Sequence, residues 1–87
     1  MKEMYIVLCD SHTEDDCGVY RVGDETGKNV FDSIEEAQKV VDEDMKEYLK
    51  SEQDEFGEDK VRIEGFHIVW DGDNEYTRYA KWHIWRV

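Results

Sequence analysis

The sequence contains no proline, and no repeat, linker or low-complexity tract divides its 87 residues. It has no apolar run of the roughly 18–20 residues that cross a membrane. The apolar stretch at residues 1–8 is short and contains Glu3, which argues against a signal peptide. A chain of this length can bury one helix against one sheet and little more, which excludes two-domain and barrel-sized enzymes. We therefore expect one domain over residues 1–87.

Cysteine is also scarce. Cys9 and Cys17 are too few for the disulfide framework of a secreted protein, so we expect two thiols in the cytoplasm, with a bridge between them left open. Together with Asp10 and His12 they are possible metal ligands, but their spacing matches no zinc framework. We expect no metal and no cofactor. We also expect no enzymatic activity, because so small a domain has little volume for a catalytic pocket.

Basic residues are outnumbered: 11 Lys and Arg stand against 23 Asp and Glu, for a formal net charge of −12. Such an excess of carboxylates repels phosphate backbones and anionic lipid head groups. Direct binding to nucleic acid or to a membrane is therefore disfavoured, and a basic partner is favoured. Only 39% of the residues are apolar, but an aromatic content of 13% supplies enough core material for a folded domain.

The first third of the chain has strand and turn signals. Residues 4–9 form a continuous apolar run typical of a buried strand, and residues 10–16 are polar and predict a loop. Residues 19–22 and 28–31 flank a glycine-containing turn, which predicts a hairpin.

A helix is predicted to follow. Ser33 and Glu36 have the spacing of a capping box. Apolar residues then recur every three or four positions to about residue 50, and residues 51–59 predict a loop. The apolar stripe comprises Ile34, Ala37, Val41, Met45 and Tyr48, with Val40 and Leu49 beside it. Lys39, Lys46 and Lys50 are interleaved with acids on the opposite face.

The last third predicts a second hairpin. Residues 61–70 and 76–87 are aromatic and β-branched, and they flank an Asp-Gly turn at residues 71–75. Gly65 interrupts the alternation of the first of these strands, which predicts a β-bulge. The element order is β-ββ-α-ββ, so we predict an α+β fold: one antiparallel sheet of four to five strands with one helix packed on one face.

A sheet covered on one face can bury only one of the two alternating sets in its last strand. We expect the buried set to be Ala80, Trp82 and Ile84, together with Phe66, Ile68 and Trp70. The other set, with Lys81, lines the open face, which is large enough for a homodimer or partner interface. The residues expected at this interface are His67, Val69, Tyr79, His83 and Trp85.

The uncompensated acids are concentrated in the two predicted loops, with Glu43 and Glu47 of the helix at their rim. The first loop contains Asp10, Glu14, Asp15 and Asp16. The second contains Glu52, Asp54, Glu55, Glu58 and Asp59. Two explanations remain open. These acids keep a small protein soluble, or they imitate DNA phosphates and occupy a basic DNA-binding groove.

A hairpin leading into the Phe31–Ala37 segment, a terminal aromatic hairpin, the small size and the strong acidity resemble small phage-encoded proteins, some of which are DNA mimics that inhibit host proteins. The resemblance concerns size, charge and organisation. It implies a non-catalytic inhibitor that occupies the DNA site of a basic DNA-binding protein in the cytoplasm of a bacterial host. The alternative is a small structural or regulatory adaptor that binds a protein through the aromatic sheet face.

Overall fold

A computed structural model describes residues 3–13, 17–71 and 78–87 of the chain. Its elements are β1 (Tyr5–His12), β2 (Cys17–Val22), α1 (Ile34–Phe56), β3 (Val61–Glu64), β4 (His67–Trp70) and β5 (Tyr79–Arg86). The five strands form one antiparallel sheet in the order β2-β1-β5-β4-β3, and α1 packs across one face. The predicted α+β class and the numbers of strands and helices are confirmed. The predicted element order β-ββ-α-ββ is wrong: two strands precede the helix and three follow it, because residues 28–31 form no strand and Gly65 divides residues 61–70 into two.

The strand registers separate the sheet into two faces. Val7 of β1 pairs with Ile84 of β5, and Cys9 pairs with Trp82, so these side chains share the face that α1 covers. Buried residues on this face and on α1 form the core: Val7, Cys9, Val22, Val61, Ile68, Trp70, Ala80 and Trp82 from the strands, Ala37, Val40, Val41 and Met45 from the helix, and Phe31. No element among the described residues covers the opposite face, which we call the open face.

The first predicted strand was placed too short. β1 continues through Asp10 to His12, where it still pairs with both β2 and β5. Asp10 therefore lies in a strand, with its side chain on the open face. Pairing on both sides satisfies the backbone groups of these polar residues, which outweighs their low strand propensity.

The hairpin predicted between residues 19–22 and 28–31 is wrong. β2 pairs with β1 instead, and only Phe31 of the second segment makes a bridge, to Tyr5. The intervening turn is held by Asp24, whose carboxylate accepts hydrogen bonds from the Thr26 and Lys28 amides at 2.9 and 3.0 Å. This is an Asx-type turn, in which side chain and backbone bond locally without a second strand.

The predicted helix start is confirmed. The Ser33 hydroxyl accepts a hydrogen bond from the Glu36 amide at 3.2 Å. Glu36 accepts from the Asp32 amide rather than completing the reciprocal bond to Ser33, and its carboxylate also binds Lys28 at 2.7 Å. Ile34 is 44% exposed, so the apolar stripe begins at Ala37.

The helix ends six residues beyond the predicted position. It runs to Phe56 and stops at Gly57, which has φ 107° and donates its amide proton to the Gln53 carbonyl at 2.8 Å. The second predicted acidic loop therefore does not exist as a loop. Glu52, Asp54 and Glu55 are helical, and only Glu58 and Asp59 follow the helix.

Gly65 belongs to a turn and not to a bulge. Glu64 pairs with His67, so Gly65 and Phe66 form a two-residue connection between β3 and β4. Gly65 has φ 58°, which fits the first central position of a type II′ turn. Phe66 is consequently 38% exposed at this turn and is not buried under the helix. The predicted pairing of the last hairpin is confirmed for β4 and β5, and most of its 71–75 turn lies outside the described residues.

Candidate protein-binding surfaces

The predicted acidic residues divide between opposite sides of the sheet. Asp10 is on the open face, where its carboxylate accepts a hydrogen bond from the Tyr79 hydroxyl at 3.3 Å. The helical acids lie on the covered side. The Tyr48 and Ser11 hydroxyls are 3.1 Å apart, which places the last turns of α1 near the end of β1. Glu14, Asp15 and Asp16 lie outside the described residues.

Glu43, Glu47 and Asp54 form a stripe on the outward side of α1. At 100° per residue they fall within about 40° of one another, and Glu43 and Asp54 are about 16 Å apart along the axis. All three are exposed, and no ion pair holds any of them among the described residues. Their charges are therefore available to a partner. The lysines at positions 39, 46 and 50 run alongside this stripe, and none of them pairs with a described carboxylate within 4 Å.

An acidic cleft lies between α1 and the segment that follows β2. Its volume is about 410 Å³. Five carboxylates and one ammonium group reach it, so its lining has a formal charge of −4. The residues that line it are Gly23, Asp24, Glu25, Val40, Glu43, Asp44, Lys46 and Glu47.

Two of the cleft carboxylates have structural partners. Asp24 accepts a 2.6 Å hydrogen bond from the Thr26 hydroxyl, and this bond is the main cause that lowers the pKa of Asp24. Asp44 accepts a hydrogen bond from the indole nitrogen of Trp82 at 2.8 Å. The turn and the core therefore fix these two acids in place. Glu25, Glu43 and Glu47 are exposed and have no such partner among the described residues.

The sequence predicted Glu43 and Glu47 but missed Asp24, Glu25 and Asp44. Asp24 and Glu25 belong to the Gly-rich segment interpreted as a hairpin turn. No local signal indicates that this segment folds back towards α1. The segment ends at Phe31, which is fully buried and bonded to Tyr5 through its backbone.

The last turn of α1 contains two acids and no base, Asp54 and Glu55 being the acids. The carbonyl end of a helix carries partial negative charge, so acids there oppose the helix dipole by about 0.3–1 kcal/mol each. These carboxylates cost stability where they lie.

Glu52 differs from the exposed acids. It is half-buried, and burial is the main cause that raises its pKa above the ordinary value of 4.5. The Trp70 indole opposes this rise, the charge of Glu55 adds to it, and the Arg78 guanidinium opposes it. The guanidinium carbon of Arg78 also lies 4.7 Å from the centre of the Phe56 ring. Glu52 is thus part of a packed cluster at the end of α1, which makes it a poor contact for a partner.

The Glu52→Gln variant should be more stable than the wild type at pH 7. Because the folded-state pKa is raised, the folded protein binds protons more readily than the unfolded chain, and stability falls as the pH rises through this range. Glutamine removes that loss. The gain should stay below about 1 kcal/mol, because water screens the exposed side of the carboxylate.

Urea unfolding at pH 7 and at pH 3.5 measures this effect. The gain should largely disappear at the lower pH, where the carboxyl group is protonated in both states. Glu47→Gln, at an exposed helical site, is the control and should show no comparable gain at pH 7. A Glu52→Gln gain of equal size at both pH values would contradict this origin.

The open face contains all five residues predicted for an interface: His67, Val69, Tyr79, His83 and Trp85. Trp85 is 58% exposed and pairs with Ile6, and His83 pairs with Leu8. Val19 of β2 extends the apolar area and is 62% exposed. The sequence pattern did not assign Ile6, Leu8 or Val19 to this face, because it treated the first strand as buried on both sides.

The open face also contains the three histidines of the chain. His12 stacks on Tyr79, with ring centroids 5.6 Å apart. Arg21, Arg62 and Lys81 are on this face, against Asp10, Glu64 and Asp71, so these charges cancel. The open face is therefore nearly neutral, whereas the helix side of the molecule is acidic. The role of the open face as an interface remains a prediction.

The thiols are in different surroundings. Cys9 is buried, and burial raises its pKa to about 11, so it is a poor nucleophile. Cys17 is exposed, and neither cysteine is in a disulfide. No cluster of three or more His, Cys, Asp or Glu in the described ranges is arranged to hold a metal ion.

Comparison of the chain with protein-family models, with curated proteins and with solved structures gives no match. Within the described residues, no helix combines the length and the apolarity needed to cross a bilayer.

Proposed function

We propose that this chain is a non-catalytic DNA mimic, which inhibits a basic DNA-binding protein by occupying its DNA site. The observation that supports this function is the segregation of charge. Residues 23–60 contain 14 acids and five bases, a net charge of −9, whereas residues 61–87 contain four of each. The first segment forms α1 and the turns at both of its ends. One side of the molecule is thus strongly anionic, whereas the five strands of the sheet contain two acids and four bases.

The exposed carboxylates on this side suit phosphate imitation. B-DNA carries one phosphate per 3.4 Å of axis on each strand. The stripe from Glu43 to Asp54 covers about 16 Å, comparable with five phosphate steps. The acidic cleft lies beside the stripe and broadens the anionic surface. The basic DNA-binding groove of the partner protein would release its bound counterions when it binds this surface. The affinity should therefore fall strongly as the salt concentration rises.

The test begins with capture from bacterial lysate on the immobilised chain at low salt and elution at high salt. The captured protein is purified, and the chain is titrated into its complex with labelled duplex DNA. We expect displacement of the DNA. The Glu43→Lys/Glu47→Lys variant should compete roughly tenfold less well or worse, because four units of charge change within the proposed contact surface.

The matched control is the Glu3→Lys/Glu64→Lys variant. It changes the net charge by the same four units, but on the sheet side, where both acids are in exposed ion pairs that contribute little stability. It should compete almost like the wild type. Equal competition by the two variants, or captured proteins that bind no DNA, would show that the charge does not act by mimicry.

A second candidate function is an adaptor that uses the open face, either with a partner or in a homodimer. The exposed Trp85 and Val19 beside half-buried Ile6 and Leu8 favour it. For this function capture should resist high salt and be lost in Trp85→Ala, and a homodimer would appear in sedimentation as a doubled mass.

A further inference from the structure

The two edges of the sheet differ. β3, at one edge, has only four residues, and its Arg62 forms ion pairs with Glu64 and Asp71. Short length and charged side chains are features that protect an edge from further strand pairing. β2, at the other edge, has six residues in an uninterrupted register with β1, from Val22 opposite Val7 to Cys17 opposite His12. Its only charged residue is Arg21, and it contains no proline and no bulge.

Most of β2 is exposed to solvent. Every residue from 17 to 21 is exposed, although each is paired with β1. Among the described residues no strand adjoins its outer edge. A paired strand presents half of its backbone amides and carbonyls away from its neighbour. The outer edge of β2 can therefore accept another strand.

A groove runs along the helix-side face of β2, because α1 does not extend over this edge. Tyr20 is 44% exposed there, facing Tyr48 of the helix across a cavity of about 370 Å³. A side chain added at Gly18 would meet no atom within 4 Å, so the space above this glycine is open. Ser11, Thr13 and Val19 complete the lining, so this end of the groove is aromatic with small polar side chains.

The acidic cleft lies on the same side of the sheet, past the end of β2. Its helical residues Glu43, Asp44 and Glu47 directly precede Tyr48, and its loop residues Asp24 and Glu25 closely follow Val22. Tyr20 and Asp24 are four residues apart, a distance of about 13 Å for an extended chain. An added strand that places an apolar side chain against Tyr20 would thus place side chains two to four residues away near the carboxylates of the cleft.

We propose that the outer edge of β2 binds an extended basic segment of the partner as an additional β-strand, with an apolar side chain between Tyr20 and Tyr48 and Lys or Arg in the acidic cleft. This inference rests on the proposed function, in that it specifies the basic partner. Strand addition provides affinity through backbone hydrogen bonds and specificity through alternate side chains. Basic arms of nucleic-acid-binding proteins have the required charge.

Charge complementarity favours a basic segment over a second copy of this chain as the occupant. A second copy carries the same net charge of −12, and its β2 is likewise followed by Asp24 and Glu25. Like charges repel each other at this acidic surface. A lysine-rich or arginine-rich segment has the opposite charge and can lie in the same groove.

The probe is a short synthetic peptide with Thr at every second position. The positions between are Phe and Val in one half and Lys in the other, so that apolar and basic side chains share one face of the strand. We call it the alternating peptide. Its control is the same peptide with one central Val replaced by Pro, which keeps the charge but cannot complete a strand ladder. We expect the alternating peptide to bind and to slow hydrogen exchange of the β2 amides in NMR spectra. The proline peptide should bind roughly tenfold more weakly.

Protein variants locate the peptide on the surface. Tyr20→Ala should weaken binding of the alternating peptide roughly fivefold or more, because it removes one wall of the groove. Tyr79→Ala is the control: Tyr79 has nearly the same exposure, at 38%, but lies on the open face. Glu43→Lys/Glu47→Lys should also weaken binding.

Equal binding of the two peptides, no binding of either, or unchanged exchange of the β2 amides would overturn strand addition. None of these results would affect displacement of DNA from the captured protein, which tests the proposed function separately. If the chain binds the peptide but does not displace DNA from the captured protein, β2 accepts a basic strand and DNA mimicry is wrong.

Discussion

Replacement of Trp82 by alanine is expected to lower the free energy of unfolding by roughly 3–5 kcal/mol. Trp82 lies in β5, the central strand of the sheet, and is 2% exposed. Its ring meets Tyr48 edge-to-face at a centroid distance of 5.5 Å, and its N–H donates to Asp44 at 2.8 Å. The substitution removes a large buried ring and leaves a half-buried carboxylate without its donor. Urea unfolding followed by circular dichroism measures the loss.

Trp85→Ala is the matched control, in the same strand and with the same atoms removed. Trp85 is on the open face and 58% exposed, so its replacement should cost less than about 1 kcal/mol. Trp82→Phe keeps an aromatic ring but lacks the donor to Asp44, and it should lower the free energy of unfolding by about 1–3 kcal/mol. This variant provides the measurement if Trp82→Ala does not fold. Similar losses for Trp82→Ala and Trp85→Ala would contradict the assigned faces of the sheet.

The alternation in β5 was predictable because it depends on local pattern alone. Successive strand residues point to opposite faces, so the division between Trp82 and Trp85 follows once one face is buried. The capping residue Ser33 was predictable for the same reason, since its hydroxyl bonds only three residues along the chain. These two signals were sufficient for the α+β class.

The pairing of β2 could not be obtained in this way. The glycines around Asp24 fit a hairpin turn and an Asx-type turn equally well, because both kinds of turn favour the same types of residue. The choice between them depends on whether β1 or residues 28–31 is the better partner for β2, which is a non-local question. Gly65 presented the same ambiguity, because positive φ suits a turn as well as a bulge.

The end of α1 was misplaced for a different reason. Residues 51–55 are all polar, so the apolar periodicity stops at Leu49 and indicates a loop. Phe56 resumes the stripe one heptad after Leu49, and both are half-buried against the core. Gln53 also donates to the Val61 carbonyl at 3.1 Å, which ties the last turn to β3. Tertiary contacts thus extend a helix that its local sequence would end.

The acidic cleft depends on one buried residue outside the regular elements. Phe31 is 0% exposed, and it exchanges two backbone hydrogen bonds with Tyr5, each of 2.8 Å. It anchors the whole connection from β2 to α1, including Asp24 and Glu25. Phe31→Ala is therefore expected to lower the free energy of unfolding by roughly 3–5 kcal/mol. It should also speed hydrogen exchange at the Thr26 and Lys28 amides, which bond to Asp24.

Phe66→Ala removes the same ring from an exposed turn, where Phe66 is 38% accessible, and should cost less than about 1 kcal/mol. Urea unfolding compares the two stabilities, and NMR hydrogen exchange in the folded state reports on the turn. The Asp24 turn contains its own hydrogen bonds, so either these bonds or the buried Phe31 could hold it in place. Hydrogen exchange distinguishes the two explanations. If Phe31→Ala destabilises the protein but leaves exchange at Thr26 and Lys28 unchanged relative to Phe66→Ala, the turn is self-supporting. The position of Asp24 and Glu25 opposite α1 would then not depend on the Phe31 anchor.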